Sequence, residues 1–435
     1  MPTPIGMETS VQPRDSQPGD SRPAIAAAPN LILLPSAASL GASDVQMQDG
    51  DPSILGLSLT RRTVLAARRA GYGQMFFLAR DRAAPPGTTA IADWSKLADA
   101  LLRSQTTSLV IAPATILSET GWLKGLVATQ IEPAAWSAIP DRIIVLAATA
   151  VPDALAVLHA DGGAHDMAAV QERLTRRFGS AAAVPTDIDP MVVATLQDIR
   201  VAERRLLRGL IKDTDGFMAR HFDRHISLQI SRRLAPTSVA PSQITWLSIA
   251  IGLCGAPFFL SAHWSWQTLG ALLFLLHSIV DGCDGELARL KFQESRYGGI
   301  LDFWGDNVVH VAIFGCMAVG WALSAAATWP LLLGAAAIVG TLGSAGFVYW
   351  RQLRVKDGSG PLFTSVSTAP DDGLTSMMDA ASRRDFIYVV PIFALFGKSG
   401  WFLLLAAVGA PIFFFLLVFL AARERLQSGA VTSAS

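Results

Sequence analysis

Hydrophobic residues are distributed differently in the two parts of this chain. Up to about residue 200, short apolar runs alternate with amphipathic segments, and from residue 243 onward long apolar stretches follow one another. Short runs bounded by polar residues indicate the strands and helices of a soluble domain, whereas a helix of about 20 apolar residues can cross a bilayer. The pattern therefore predicts a soluble domain followed by a membrane domain.

The first part, residues 31–200, predicts an α/β domain with a mainly parallel sheet, because apolar strands alternate with helical segments. The predicted strands are Leu31–Leu34, Gln74–Leu78, Ser108–Ile111 and Arg142–Leu146. The predicted helices are Thr60–Ala70, Ala92–Arg103, Val151–His159 and Asp166–Phe178. Residues 1–30 are rich in Pro, Ser and Asp and are expected to be a disordered N-terminal segment.

The second part, residues 235–425, predicts a membrane domain of six transmembrane helices, followed by a C-terminal tail, 426–435. The predicted spans are Gln243–Ala262, Trp266–Arg289, Tyr297–Ser324, Trp329–Trp350, Phe386–Phe396 and Trp401–Ala421. Nearly all Lys and Arg residues of the connecting segments fall on one side of these spans, so the positive-inside rule predicts that both termini are cytoplasmic. We expect an integral protein of the cell or inner membrane.

A basic segment, residues 203–234, joins the two parts and is predicted to be a juxtamembrane amphipathic helix. Apolar residues recur every four positions from Met218 to Leu234, and arginines such as Arg204, Arg224 and Arg233 surround them. A helix of this kind suits the membrane interface, with its cations against anionic headgroups. The alternative is a solvated linker helix between domains. The formal net charge of the whole chain is zero, which argues against a nucleic-acid partner.

Four aspartates lie in the apolar sequence of the second and third predicted spans: Asp281, Asp284, Asp302 and Asp306. Ionisable residues inside spans are costly and are functional candidates by default. The members of each pair, three or four residues apart, share one helix face. The polar stretch between the pairs predicts a turn outside the bilayer, which places Asp284 at the depth of Asp302 and Asp281 at the depth of Asp306. Four carboxylates should therefore converge.

Converging carboxylates need cations, since two unit charges about 4 Å apart repel by roughly 4 kcal/mol at an effective dielectric near 20. Oxygen ligands favour hard ions such as Mg²⁺ or Mn²⁺, and two such ions would neutralise the cluster and hold a diphosphate. Gly285, Ala288 and Gly298 leave the helix faces beside the aspartates without bulk. Arg289 is placed to bind phosphate through its several donors.

The arrangement D-x2-D-G-x2-A-R-x8-G-x3-D-x3-D, which starts at Asp281 and ends at Asp306, resembles the signature of the CDP-alcohol phosphotransferase (CDP-alcohol phosphatidyltransferase) family, and every fixed position matches. The resemblance covers roughly residues 205–425. It implies a six-helix membrane domain, a homodimer and a divalent-metal site. It also implies an enzyme that moves a phospho-alcohol group, for example phosphatidyl, from a CDP-alcohol donor to a hydroxyl acceptor and releases CMP.

The resemblance also implies roles for single residues. Metal would be bound by Asp281, Asp284 and Asp302, and Asp306 would bind the second metal or act as the base on the acceptor hydroxyl. The CDP moiety would face Gly285, Ala288 and Arg289. The segment Pro241–Thr245 resembles the family's Pro-Asn-x-x-Thr, with Ser242 in place of Asn. Thr245 is thus a candidate nucleotide-binding residue, and the alternative is an ordinary helix start.

Two arginines, Arg383 and Arg384, close the long loop before the fifth predicted span. At the mouth of a phosphate-handling site they are candidate ligands for the phosphate of an acceptor such as a polyol or inositol phosphate. The alternative is simple anchoring on the cytoplasmic side.

The predicted α/β domain resembles the sugar-nucleotidyltransferase-like domains fused to some members of the family, but it departs from their pattern. The loop after the first strand, Pro35–Ser43, has one glycine and no Arg or Lys to cradle a triphosphate. We therefore expect a catalytically silent domain. One alternative is a bifunctional enzyme whose N-terminal domain makes the CDP-alcohol, and another is an ion-coupled transporter that uses the intramembrane carboxylates.

Overall fold

The computed structural model describes residues 28–35, 47–48, 51–79, 84–101, 106–128, 135–160, 164, 166–184, 190–211, 215–355 and 384–432. The chain divides into two compact units. The first consists of Met1–Ser39 and Thr60–Val192, and the second of Leu40–Leu59 and Val193–Ser435. This division differs from the predicted domain 31–200, because residues 40–59 group with the second unit.

The strands are β1 (Ala28–Leu34), β2 (Met47–Gln48), β3 (Asp51–Ile54), β4 (Leu57–Ser58), β5 (Met75–Leu78), β6 (Thr89–Ile91), β7 (Thr106–Pro113), β8 (Ile116–Leu117), β9 (Trp136–Ile139), β10 (Ile143–Ala147), β11 (Ala182–Ala183) and β12 (Met191–Val192). The helices are α1 (Leu59–Ala70), α2 (Trp94–Leu101), α3 (Thr120–Ala128), α4 (Val151–His159), α5 (Met167–Phe178), α6 (Leu196–Arg208), α7 (Arg224–Leu234), α8 (Pro241–Gly255), α9 (Trp264–Lys291), α10 (Arg296–Ala325), α11 (Trp329–Val355), α12 (Val389–Leu395) and α13 (Ser399–Thr432).

A seven-stranded sheet in the order β11-β9-β10-β7-β1-β5-β6 forms the centre of the first unit. It is mostly parallel, which confirms the predicted α/β class, and each of the four predicted strands is present. The exception is β10, which runs antiparallel to β7 and β9. Sequence analysis did not anticipate β9, which joins β10 through a tight turn in which Asp141 has a φ of 57°. A hairpin of this kind reverses the strand direction, whereas a crossover helix keeps it.

The four predicted helices of the first unit are confirmed with small shifts at their ends. The apolar faces of α2, α4 and α5 pack with the sheet in one core that includes Ile32, Leu109, Trp94 and Leu155. The Trp94 indole also donates a hydrogen bond to the Ala164 carbonyl at 2.7 Å, so the large side chain is buried with its polar atom satisfied. Strand β1 begins at Ala28, inside the predicted disordered segment 1–30, whose residues 1–27 lie outside the described part.

Among the described residues of the second unit, five helices are long and apolar enough to cross a membrane: Pro241–Leu260, Trp264–Lys291, Arg296–Ala325, Trp329–Arg351 and Ser399–Arg423. They match five of the six predicted spans. The predicted fifth span, Phe386–Phe396, is a shorter apolar helix over Phe386–Leu395. The last helix, α13, continues to Thr432, so the predicted tail 426–435 begins inside it.

The predicted single helix over residues 203–234 is wrong, because the segment contains two helices. Helix α6 ends at Arg208 and is capped by Gly209, whose N–H bonds to the carbonyl of Arg205. The chain becomes helical again from Phe217, passes through a π-helical turn at Ala219–Asp223 and continues as α7. The sequence between the two helices contains glycine and short polar residues, which favour a break. Glycine has a low helix propensity, and short polar side chains form hydrogen bonds with the backbone in non-helical conformations.

A small three-stranded sheet, β2-β3-β4, belongs to the second unit. Its β3–β4 turn has positive φ at both Leu55 (50°) and Gly56 (79°). A side chain at Gly56 would place Cβ 2.5 Å from the carbonyl oxygen of Ala235, just after α7. Glycine is therefore needed at this turn for its backbone conformation and for the close approach to the end of α7.

Candidate functional site

A tight turn joins α9 and α10, as the polar stretch between the aspartate pairs predicted. Helix α9 ends at Lys291 and is capped by Phe292, which has a left-handed φ of 57°. Helix α10 begins after Ser295, whose hydroxyl accepts a hydrogen bond from the Gly298 N–H at 3.0 Å. A Cβ at Gly298 would lie 3.1 Å from that hydroxyl. Gly298 thus leaves room for the Ser295 side chain that caps the N-terminus of α10. The sequence alone could not tell this structural role from a role in giving a ligand access to the backbone.

The two helices bring three of the four aspartates together. Asp281, Asp302 and Asp306 each offer a carboxylate oxygen, and within the described residues these oxygens lie within 4.8 Å of one another. Asp281 is buried, and the other two are half-buried. An oxygen-only set at this separation fits a hard divalent cation such as Mg²⁺ or Mn²⁺.

The fourth aspartate, Asp284, is outside this group of three. Its Oδ2 accepts a short hydrogen bond from the hydroxyl of Thr245 on α8. Both residues are buried, and Thr245 is one of the residues that the sequence selected for the nucleotide pocket. The predicted convergence of four carboxylates is therefore incomplete, because Asp284 turns towards α8 while the other three face one another.

Arg289 lies over the small residue Gly285. A Cβ added at Gly285 would meet the Nη1 atom of Arg289 at 3.4 Å, so the absence of a side chain leaves room for the guanidinium on this face of α9. Ala288 is buried next to it. Of the two predicted acceptor-binding arginines, Arg383 lies outside the described residues. Arg384 begins a 3-10 turn that ends at Tyr388, and its side chain is outside the described part.

A buried cluster of charges that the sequence motif did not reveal lies on the other side of α9. The carboxylate of Glu286 is 0% exposed and accepts hydrogen bonds from Arg224 Nη1 and Ser227 Oγ, each at 2.7 Å, and from Ser231 Oγ at 2.7 Å. Arg224 also binds both carboxylate oxygens of Asp215 at 2.9 Å. Burial by itself would lower the pKa of Arg224, but the hydrogen bonds and negative charges of Asp215 and Glu286 raise it overall.

The signal for this cluster was present in the sequence. Glu286 is an acidic residue inside a predicted span, and such a residue normally has a partner. Arg224 was interpreted as facing lipid headgroups, because it lies in a basic amphipathic segment. The buried face of α7 carries Ser227 and Ser231 instead of apolar residues, so a search for an apolar stripe selects a neighbouring face of the helix.

His277 is a second residue that the sequence did not single out. It is buried one helical turn before Asp281, and its Nδ1 lies 2.9 Å from the carbonyl oxygen of Ser248. Because a carbonyl only accepts, Nδ1 carries the proton in that bond. The other nitrogen, Nε2, faces Asp306 at 3.5 Å from Oδ1. His277 therefore connects α8 to one of the three grouped aspartates.

A cavity of about 550 Å³ opens beside Asp306. Its polar end includes Asp306, His277, Asn307 and His310, and the remainder is mostly apolar. The apolar lining includes Phe303, Phe314, Val348, Phe386, Phe402, Leu405, Ala406 and Phe413. Its size falls within the range of about 300–1,000 Å³ that is common for small-molecule sites.

Comparison with known proteins places the signature in a family. Residues 238–368 match the model of the family described as CDP-alcohol phosphatidyltransferase. The motif from Asp281 to Asp306 thus lies within a segment of the second unit that is similar to this family, as its spacing indicated.

Two curated relatives show how far the similarity extends. A protein of Rubrobacter xylanophilus named bifunctional IPC transferase and DIPP synthase is 38% identical over 154 residues, which are 34% of this chain and 33% of the relative. A phosphatidylinositol phosphate synthase of Streptomyces avermitilis is 32% identical over 105 residues, which are 24% of this chain and 42% of the relative. The chain thus spans about a third of the first of these relatives.

Among solved structures, the phosphatidylinositol phosphate synthase of Mycobacterium tuberculosis with CDP-DAG bound is 19% identical to this chain. The alignment covers 45% of this chain and 92% of that one, with a TM-score of 0.33. The same protein has also been solved in complex with manganese and citrate.

Proposed function

We propose that the second unit is a membrane transferase that moves a phospho-alcohol group from a CDP-alcohol to a hydroxyl acceptor and releases CMP. The observation that carries this proposal is the group of oxygens from Asp281, Asp302 and Asp306, which lie within 4.8 Å of one another inside a complete family signature. The names of the two relatives, a transferase and synthases, support the same class of reaction.

In the proposed reaction, Asp281, Asp302 and Asp306 would hold Mg²⁺ or Mn²⁺, and Asp284 would contribute to the binding of a second ion. A bound divalent ion would neutralise the diphosphate and stabilise CMP as the leaving group. Gly285, Ala288, Gly298 and Thr245 border the proposed nucleotide position, and Arg289 contacts its phosphates.

Asp306 is the residue proposed to meet the acceptor, because it belongs to the aspartate group and the family resemblance makes it the candidate base on the acceptor hydroxyl. The acceptor oxygen forms a bond to the β-phosphorus while the bond from that phosphorus to the oxygen of CMP breaks. The proton of the acceptor hydroxyl passes to the Asp306 carboxylate. A carboxylate beside cations is a weak base, so orientation of the hydroxyl contributes alongside proton removal. Arg383 and Arg384 are proposed to bind the phosphate of an acceptor such as inositol phosphate.

The cavity beside Asp306 favours a donor with a hydrocarbon chain, such as CDP-diacylglycerol, over a wholly polar CDP-alcohol. Most of its lining is apolar, so the cavity matches the acyl chain of a lipid donor and offers few hydrogen-bonding partners to a wholly polar one. Ser344 adds a polar group to the wall: it is 8% exposed, and its hydroxyl has no hydrogen-bond partner among the described residues. An ester carbonyl of a lipid would accept the hydrogen bond that this hydroxyl can donate.

The remaining parts of the assembly are proposed from the sequence and the family. Phe386–Leu395 is proposed as a sixth, short span, which gives a six-helix domain with both termini and the site on the cytoplasmic side. A homodimer is proposed by analogy with the family. The first unit is proposed to be catalytically silent, because the loop after its first strand lacks basic residues. The alternative is that this unit makes the CDP-alcohol, and the word bifunctional in the name of the Rubrobacter relative supports that alternative.

The proposal is tested by incubating membranes that contain the full-length chain with labelled CDP-diacylglycerol and a panel of polyol phosphates, with and without Mn²⁺. We expect release of CMP that requires both the metal and an acceptor, and a lipid product identified by its mass. Ion flux across sealed vesicles without any CMP release would favour the transporter alternative and would contradict the proposal.

A substitution in the cavity wall tests the lipid assignment. Gly409 lines the cavity, and a Cβ there would have no atom within 4 Å, so Gly409→Leu should fill part of the cavity without a clash. The added side chain would overlap a bound acyl chain, and steric overlap of this kind costs about 1–3 kcal/mol, so the KM for CDP-diacylglycerol should rise roughly tenfold or more. Gly346→Leu is the matched control, because Gly346 also has open space around it but does not line the cavity. Equal KM values in both variants would contradict a chain in this cavity.

A further inference from the structure

We infer that Glu286 is a positioning residue for the aspartate site. Through Arg224, Ser227 and Ser231 it fixes the rotation of α9 about its own axis, and so holds Asp281 and Asp284 in the geometry that a divalent cation requires. The inference rests on the proposed function only for the identity of the ligand, and it concerns a residue that the family motif leaves unspecified.

Glu286 and the aspartates lie on different sides of the same helix. At 100° per residue, Glu286 is about 140° from Asp281 and about 200° from Asp284 around α9. Its partners all lie on α7, which packs along that side: Cys283 Sγ is 3.6 Å from the Ser227 carbonyl oxygen, and a Cβ at Gly282 would be 3.5 Å from Arg224 Nη1. Hydrogen bonds therefore join α9 to α7 on the side of α9 that faces away from the aspartates.

Helix α9 is held from the opposite direction by α8. The hydroxyl of Thr245 bonds to Asp284, and the carbonyl of Ser248 accepts from His277. With Glu286 on the α7 side, polar contacts fix α9 from two directions at the level of the aspartates. Apolar contacts alone tolerate small rotations of a helix, whereas directional hydrogen bonds do not.

A metal site depends on such control. Ligand distances in metal sites are fixed to about 0.2 Å, and functional groups must be held within about 0.5 Å and 10–20° of their working geometry. All three hydrogen bonds to Glu286 involve a carboxylate with no exposure to water, so no solvent competes for them. Supporting residues of this kind typically change metal affinity by about 10–100-fold when they are replaced.

The test measures Mn²⁺ binding to the purified full-length protein by electron paramagnetic resonance, together with the thermal midpoint of each variant. Glu286→Gln removes the charge, and Ser231→Ala removes a single hydrogen bond without any change of charge. The double variant Arg224→Met with Glu286→Leu replaces the ion pair by apolar side chains of similar size, which often preserves stability. It is made in an Asp215→Asn background, because Asp215 would otherwise lose the guanidinium that binds both of its carboxylate oxygens. Arg232→Ala is the control on α7, because Arg232 forms an exposed pair with Glu203 at 3.0 Å.

We expect Glu286→Gln and the double variant to weaken Mn²⁺ binding by about 10–100-fold, and Ser231→Ala by a smaller factor. The double variant should regain most of the thermal midpoint but not the affinity, which separates positioning from mere packing. Arg232→Ala should change neither quantity. Wild-type affinity in Ser231→Ala and in the double variant would overturn the inference while leaving the proposed function intact. Absence of Mn²⁺ binding in the wild type would overturn both.

Discussion

Asp306→Asn is expected to lower the rate of CMP release by about 10²–10⁴-fold, the usual range for loss of a group that handles the proton in the transition state. Asp302→Asn is expected to lower the rate of CMP release by more than about 100-fold. Replacing a residue that only supports a metal ligand typically costs about 10–100-fold in activity, and Asp302 is proposed to bind the metal directly. The two variants should respond differently to metal. Excess Mn²⁺ should restore part of the activity of Asp302→Asn but little of that of Asp306→Asn.

These rates are measured in membranes with CDP-diacylglycerol and the best acceptor of the panel. Glu203→Gln is a suitable control, since Glu203 lies on α6 and pairs with the exposed Arg232. Activity close to that of the wild type in both aspartate variants would show that the grouped carboxylates do not carry the reaction.

Gly320→Ala is expected to destabilise the second unit by about 3 kcal/mol, at the upper end of the cost of overpacking. An added Cβ would lie 2.2 Å from the carbonyl oxygen of Phe259 and 2.8 Å from the Cα of Leu260. These are backbone atoms, which cannot move aside as the end of a flexible side chain can. The helices would have to separate at this point.

Gly315→Ala provides the matched control on the same helix, α10. A Cβ at Gly315 would have no atom within 4 Å, and alanine favours the helix by up to about 1 kcal/mol over glycine. Unfolding of the purified protein in mixed micelles should therefore show a clear loss of stability for Gly320→Ala alone. Equal midpoints for the two variants would mean that α10 does not pack closely against Phe259 and Leu260.

Much of this arrangement could be read from the sequence because the relevant signals are local. Five spans follow from long apolar runs, and the aspartates stand out because charged residues are rare within such runs. The spacing of Asp302 and Asp306 along one helix face, and the polar turn before them, suffice to bring both beside Asp281. No contact between distant segments has to be known for these steps.

The remaining features depend on contacts between residues far apart in the chain. The bond from Thr245 to Asp284 joins positions 39 residues apart, and the bond from Arg224 to Glu286 joins positions 62 apart. No local pattern specifies which residues will meet at such separations. The grouping of residues 40–59 with the second unit has the same origin, since it depends on the approach of Gly56 to Ala235.

Helix α7 shows why a hydrophobic stripe can mislead near a membrane. The apolar stripe that the sequence predicts to face the membrane interface includes Phe222, in the π-helical turn before α7, and Ile226 on α7, and these side chains are 53% and 39% exposed. The side that packs on α9 is polar, because its partner is a buried carboxylate. Exposure of the apolar stripe agrees with the proposed position at the membrane interface, where lipid rather than protein would cover it.

The most direct test of the central claim is to locate Mn²⁺ in crystals of the full-length protein by anomalous scattering at the manganese absorption edge. The account predicts a peak bounded by the carboxylates of Asp281, Asp302 and Asp306, with the nearest oxygens at about 2.0–2.3 Å as expected for a small, hard divalent cation. A protein saturated with Mn²⁺ that shows no peak between these three side chains, or shows its peak at another place, would contradict the account.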